Sequence, residues 1–307
     1  MKNKVLLLIS LFIISQSVEA QKKFFVKNIE ELSEIPSGYK PYFINATDNI
    51  IFTSGTNKGL YVYDRNSKLI KTLNTDNGAG FQFCLSEDEK TILYKTYVMD
   101  ASGKRQSAIY KQNMSSGNKK IIIENARGLS TISFRNGSLL YLQKTELKTH
   151  TVKPQKTKSS NTVAVFTDED LNLVLLNNSI STILNPLGKG NYIWVSLSPD
   201  GQRVLFNKTG EGTYICELNG KIIANLGRLS AAKWSNNGLW VIGMNDYDDG
   251  RQYTSSQIVL CSADGKTRQS LELKNQKIAL FPNISADYSK IVFNDEKGKI
   301  YILFLKK

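Results

Sequence analysis

The stretch SLSPDGQRVLF, residues 196–206, decides the fold. It runs from Leu197 and Ser198 through a Pro-Asp-Gly turn into an alternating apolar strand, which is the pattern of a tight β-hairpin. Read from Ser198, an apolar residue precedes the serine, and apolar residues recur six and eight positions after it, at Val204 and Phe206. The same spacing recurs along the chain. Ser86 has Leu85, Ile92 and Tyr94; Ser285 has Ile284, Ile291 and Phe293; Ser133 has Ile132, Leu139 and Tyr141. Ser235 has Trp234 and Val241, with Gly243 at the last position, and a copy one residue shorter begins at Asn45 after Ile44. These six anchors lie on average 48 residues apart. Most are followed by a third strand (GLYVYD, SAIYKQN, GTYICEL, SQIVLCS) and several by a fourth (KLIKTL, KKIIIE, KIIANL). Repeats of this length built from four antiparallel strands predict an all-β propeller of six blades.

The turn at Ser198-Pro199-Asp200-Gly201 resembles the WD40-like "PD" repeat of TolB-type six-bladed propellers. The other copies, SEDE, SADY, SNNG and SFRN, keep the spacing and lose the Pro-Asp-Gly. The resemblance implies a periplasmic protein-interaction role, although no second domain of the TolB kind is expected. After Phe293 there is room for one more strand, KIYILFL at 299–305, so the last blade lacks its outer strand. KKFFVKNI at 22–29 supplies it, and the last blade is expected to be closed by Phe24–Ile29 from the N-terminus. No linker divides residues 21–307, which are expected to form a single domain.

Residues 1–20 read as a cleaved signal peptide: Lys2 and Lys4, an apolar run from Val5 to Ile14, then Val18-Glu19-Ala20 as the cleavage site. The run is too short to cross a bilayer, and Gln21 rather than Cys follows the cut, so neither an anchor helix nor a lipid anchor is expected. A periplasmic or secreted monomer follows as the expectation. The formal net charge is +13, and removing Lys2, Lys4 and Glu19 leaves 38 basic against 26 acidic residues, or +12. Outside the cytoplasm that excess favours an envelope protein with an acidic face or an anionic glycan or glycolipid, not nucleic acid. Cys84, Cys216 and Cys261 are odd in number and lie in apolar strand-like runs, which reads as buried free thiols.

The sequence argues against several chemistries. It holds one histidine, His150, and no G-x-S-x-G, so neither a hydrolase triad nor a histidine metal cluster is expected, and no cofactor is implied. The expected inner strands PYFI, QFCL, LSTI, WVSL, AAKW and FPNI contain no Asp or Glu and one charge, Lys233. NDYDDG, 245–250, fails the EF-hand pattern, because its glycine as loop position six puts Tyr247 at three and Ser256 at twelve. An enzymatic role is therefore not favoured. The rival readings are a carbohydrate-active enzyme with loop acids such as Asp100, Asp246 and Asp249, or a structural module of an envelope complex.

Loops leading into the inner strands carry Lys40, Arg127, Lys189, Arg228 and Lys277, which with Lys233 predict a basic rim around one mouth of the axial channel. Tyr97, Tyr192 and Tyr247 fall near the same face and are expected to contribute contact area. Long loops are expected at 97–106, 144–161 and 245–256, of which the lysine-rich KTELKTHTVKPQKTKSSN is too polar to bury itself. These residues make the basic loop face the candidate binding surface of a non-enzymatic propeller.

Overall fold

The computed structural model describes residues 23–135, 137–144, 146–152, 163–177, 180–273 and 278–306. It forms seven antiparallel sheets arranged as a propeller, not six. Among the described residues five sheets have four strands and two have three. In chain order the inner strands are Tyr39–Ile44, Phe83–Leu85, Leu129–Arg135, Val163–Thr167, Tyr192–Leu197, Ser230–Trp234 and Leu280–Ile284, which open blades 1 to 7. The strand Phe25–Glu31 lies at the outer edge of blade 7, where Phe25 pairs with Lys306 and Glu31 with Tyr301.

The packing counts the blades independently. Seven apolar clusters fill the seven blade-to-blade interfaces. Phe206 meets Val165 and Leu175 between blades 4 and 5, for example, and Phe43 meets Val292 and Ile302 between blades 1 and 7. Each strand alternates between two such interfaces, so its apolar residues face both neighbours. Polar side chains add links across them: Thr213 Oγ1 donates to the Leu229 carbonyl, Ser256 Oγ to that of Ala279 and Thr167 Oγ1 to that of Tyr192.

The serine anchors have a common physical basis. In blades 2, 5, 6 and 7, Ser86, Ser198, Ser235 and Ser285 are buried. Each Oγ accepts the backbone N–H five residues on, at Thr91, Arg203, Trp240 and Lys290, at 2.9–3.1 Å. Each also bonds to Asp88, Asp200, Asn237 or Asp287 two residues on. The serine thus satisfies groups that the turn would otherwise bury unpaired.

The seventh blade is hidden in the 65 residues between Ser133 and Ser198. Its hairpin, Val163–Thr167 with Leu173–Asn177, turns on Asp168, whose Oδ1 accepts the Asn172 N–H at 2.8 Å. An aspartate replaces the serine and the turn is one residue shorter, so the serine spacing passes over it. Blade 3 departs too. Arg135 pairs with Ser138, which puts Ser133 inside the strand and not at the turn. Part of the expected long loop is the strand Glu146–Thr151, in which His150 pairs with Leu139. Residues 145 and 153–161 of that loop lie outside the described residues.

Candidate functional site: the axial cavity

The inner strands of blades 5, 6, 7 and 1 share a distortion. The pairing register slips between Ile193 and Ser196, Ser230 and Lys233, Leu280 and Asn283, and Tyr39 and Tyr42. Within each slip one non-glycine residue takes the left-handed conformation: Trp194 (φ 50°), Ala231 (φ 50°), Phe281 (φ 52°) and Lys40 (φ 52°). Such a residue costs on the order of 1 kcal/mol, and a bulge re-aims the side chains around it. All four residues line one cavity of about 670 Å³. Among the described inner strands, left-handed residues of this kind fall along one arc of the ring, beside the cavity.

Blades 1, 2, 5, 6 and 7 supply the walls of this cavity, which are mostly apolar and aromatic. Two amines stand in it. The Lys40 Nζ lies 5.2 Å from the Phe81 ring centre and 5.6 Å from that of Phe281, and the Lys233 Nζ lies 5.7 Å from the Tyr42 ring. Burial holds the Lys40 amine below its usual range; burial first, then the charge of Lys40, pushes Lys233 down to about 8. No ion pair to either lysine occurs among the described residues. The cavity also reaches Glu87 and Glu89. Glu87 accepts the Gly137 N–H, and Glu89 accepts Ala46 N–H and Asn45 Nδ2. Ser196 Oγ, on the cavity wall, is buried with no hydrogen-bond partner.

The expected basic rim is sorted by this geometry. Lys40 belongs to an inner strand, not to the loop before it, and stands with Lys233 inside the channel. Arg127 is paired with Asp100 at 3.0 Å, so its charge is largely spent within blade 2. Arg228 donates to the Asp246 carbonyl and stacks on Tyr247 at 4.4 Å, and Tyr247 is exposed. Lys189 is exposed in the loop before blade 5. Tyr192 is buried, and its hydroxyl donates to the Gly188 carbonyl and accepts the Leu187 N–H, which makes it a loop brace. Tyr97 is half-buried under Arg105, 4.3 Å from its ring. Lys277 lies outside the described residues.

Of the acids offered for a catalytic role, Asp100 and Asp249 are engaged elsewhere, whereas Asp246 Oδ1 is buried with no hydrogen-bond partner. Asp100 is bonded by Ser102, the Lys104 N–H, Gln106 and Arg127, which hold it far below the usual carboxylate range. Asp249 caps the Arg251 and Gln252 N–H groups and is likewise lowered. Burial pushes the Cys84 and Cys216 thiols up to about 12 and Cys261 to about 11; all three are free, but only Cys216 and Cys261 are buried residues, Cys84 being half-buried in the cavity wall. No group of three or more His, Cys, Asp or Glu suited to a metal ion occurs among the described residues. Among these residues no helix is long and apolar enough to cross a membrane.

Sequence reasoning missed the aromatic lining as a unit. Trp194 is 46 % exposed in the cavity, and Trp234 carries the Arg203 guanidinium at 5.2 Å from its ring. No family model matches the sequence, and no curated protein matches it significantly. Solved structures resemble the fold. One chain of a structure entitled "Crystal Structure of Mitotic Checkpoint Complex" superimposes with a TM-score of 0.64 at 10 % identity, over 99 % of this chain and all of that one. An oligogalacturonate lyase in complex with manganese gives 0.50 at 10 % identity, over 88 % of this chain and 78 % of the lyase. An oligogalacturonate lyase from Vibrio parahaemolyticus gives 0.50 at 10 % identity, over 87 % and 78 %. At such identities the likeness is one of fold. The chain is a seven-bladed β-propeller. With seven blades and no family match, the expected TolB-type kinship is not carried further.

Proposed function

We propose that this propeller is an exported, non-enzymatic binding protein that takes an anionic partner, an acidic glycan or an acidic protein face, at the channel mouth where its inner strands begin. The observation that carries this reading is the pair Lys40 and Lys233, two amines in one cavity with no ion pair among the described residues. Amines held in a half-dry site without a counter-ion are poised to accept one. Lys189 and Arg228 lie in loops before blades 5 and 6, at the same face, and extend the positive field outward. The signal-like residues 1–20 are the support for export.

A carbohydrate-active enzyme is the second reading, favoured by the likeness to two oligogalacturonate lyases, whose named substrate is itself an acidic oligosaccharide. Against it stands the titration of the acids. Every described carboxylate with a displaced pKa, at Glu34, Asp64, Asp100, Asp200, Asp249, Asp264 and Asp287, is moved downward. A carboxylate acting as general acid near neutral pH needs the opposite shift.

The test is binding of the protein to acidic polysaccharides and to envelope proteins at low and moderate salt. Salt-sensitive binding that falls at least tenfold in Lys189→Ser/Arg228→Ser supports the reading, whereas Arg127→Ser should change little. Absence of any anionic partner refutes it, and release of unsaturated or hydrolysed products from a polysaccharide installs the enzyme instead.

A further inference from the structure

The cavity has a more specific chemistry than the face around it. Its two amines are bordered by rings, not by hydroxyls: Lys40 by Phe81 and Phe281, Lys233 by Tyr42. Most of its polar side chains are already engaged. Asn283 Oδ1 accepts the Phe43 N–H, and Glu87 and Glu89 hold backbone groups. Ser196 Oγ remains, buried and unpartnered. A sugar, polar around its whole rim, would leave most of its hydroxyls unpaired against these walls. A flat apolar body with one negative end would not. At about 670 Å³ the space holds a two-ring aromatic with room to spare.

The strain points the same way. Four consecutive blades place a non-glycine residue in the left-handed region at the same position of the inner strand, and three of those residues are Lys40, Trp194 and Phe281. A regular strand would spare that cost, and strain persisting around a cavity is a recurrent mark of a ligand site.

We propose that the axial cavity is the binding site of a small aromatic carboxylate, whose anion lies between Lys40 and Lys233 and whose ring stacks on Trp194. The inference rests on the reading of the chain as an anion-binding propeller and goes beyond it, assigning the axis a small ligand distinct from the larger partner at the mouth. The carboxylate supplies the counter-charge that the two amines lack, and the aromatic wall takes the ring. The other titratable or charged groups around Lys233 are Lys40 and Tyr42 from blade 1, Cys84, Glu87 and Glu89 from blade 2 and Arg203 beside Trp234. Carboxylate binding is strongest below pH 8 and weakens as Lys233 loses its proton above it.

The test uses 2-naphthoate and its neutral isostere 2-naphthamide, read by tryptophan fluorescence, since two of the three tryptophans line the cavity. Naphthoate is expected to quench saturably and to bind at least tenfold more tightly than the amide. Lys233→Met and Lys40→Met should each weaken naphthoate at least tenfold without affecting the amide, and Trp194→Ala should weaken both. Equal affinity for acid and amide, or naphthoate binding unchanged in both lysine variants, overturns the proposal; so does tighter binding of glucuronate than of naphthoate. Salt-sensitive polysaccharide binding without naphthoate binding would overturn the cavity site while leaving the wider reading in place. Loss of both would remove both.

Discussion

Blades 5, 6, 7 and 1 differ from blades 3 and 4 in almost every respect that holds a propeller together. Among the described residues the first group is four-stranded throughout, and the second pair shows three strands in each sheet. Three blades of the first group turn on a buried serine that closes its own hairpin, whereas blade 3 has no such serine at its turn and blade 4 uses the half-buried Asp168. The first group bends its inner strands into the cavity, and the second contributes nothing to its lining. The ring thus divides its labour: the arc that carries the strained site is also the arc with the most complete support. Strain of this kind survives only where surrounding contacts over-determine it.

The largest effect that could break this contrast is in the core. Phe206→Ala, fully buried between blades 4 and 5, should cost about 3–5 kcal/mol in urea denaturation, with Phe166→Ala between blades 3 and 4 at or below the low end of that range. Equal costs would mean that the three-stranded pair packs as firmly as its neighbours. A smaller effect of opposite sign is expected at the axis. The folded pKa of Lys233, about 8, lies below its ordinary value of 10.5, so between those pH values the unfolded chain holds a proton that the folded one has shed. Stability of the parent protein should therefore rise with pH across that window. Lys233→Met should be more stable than the parent by ~1–3 kcal/mol at pH 7, an advantage that fades between pH 8 and 10.5.

Turn chemistry gives the next comparison. Ser198→Ala strips an acceptor from the Arg203 N–H and a donor from Asp200 and should cost about 1–3 kcal/mol. Asp168→Ala, closing a more exposed turn, should cost about 0.5–1 kcal/mol. Smallest of all is Ile180→Lys on the outer strand of blade 4, where the side chain is 69 % exposed; a change within about 0.5 kcal/mol is expected by thermal melting. A larger loss there would show that this edge is covered in solution.

The same division explains what could be read from the sequence. The serine turns were legible because one short side chain does one local job, and local jobs leave fixed spacings. Blade 4 was not, since Asp168 closes its turn with a different atom and a different length. The third strand of blade 3 hid behind polar residues: ELKTHT at 146–151 has the composition of a loop yet pairs as a strand with Ser138–Gln143. The 65-residue step between Ser133 and Ser198 was the available signal, as splitting it at Asp168 gives steps of 35 and 30. Lys233 could be placed in an inner strand from its position before Ser235, but Lys40 read as a loop residue because a left-handed residue inside a strand has no sequence signature outside glycine and asparagine. Arg127 and Tyr192 were judged by residue type; their partners, Asp100 and the Gly188 carbonyl, depend on how the loops fold.

The pairing of Phe25–Glu31 with the final strand has a consequence for how the molecule comes into being. The strand that completes blade 7 is synthesised before blades 1 to 6, and its partner, Ile300–Lys306, after them. Blades 1 to 6 can form as the chain emerges, each from neighbouring hairpins, but the ring cannot shut until some 275 intervening residues are in place. Bringing ends so far apart together carries a loop-closure entropy that grows only slowly with length, so the delay is one of order rather than of energy. The last event is then a latch: an early strand held in waiting, and a late edge left open until the two meet.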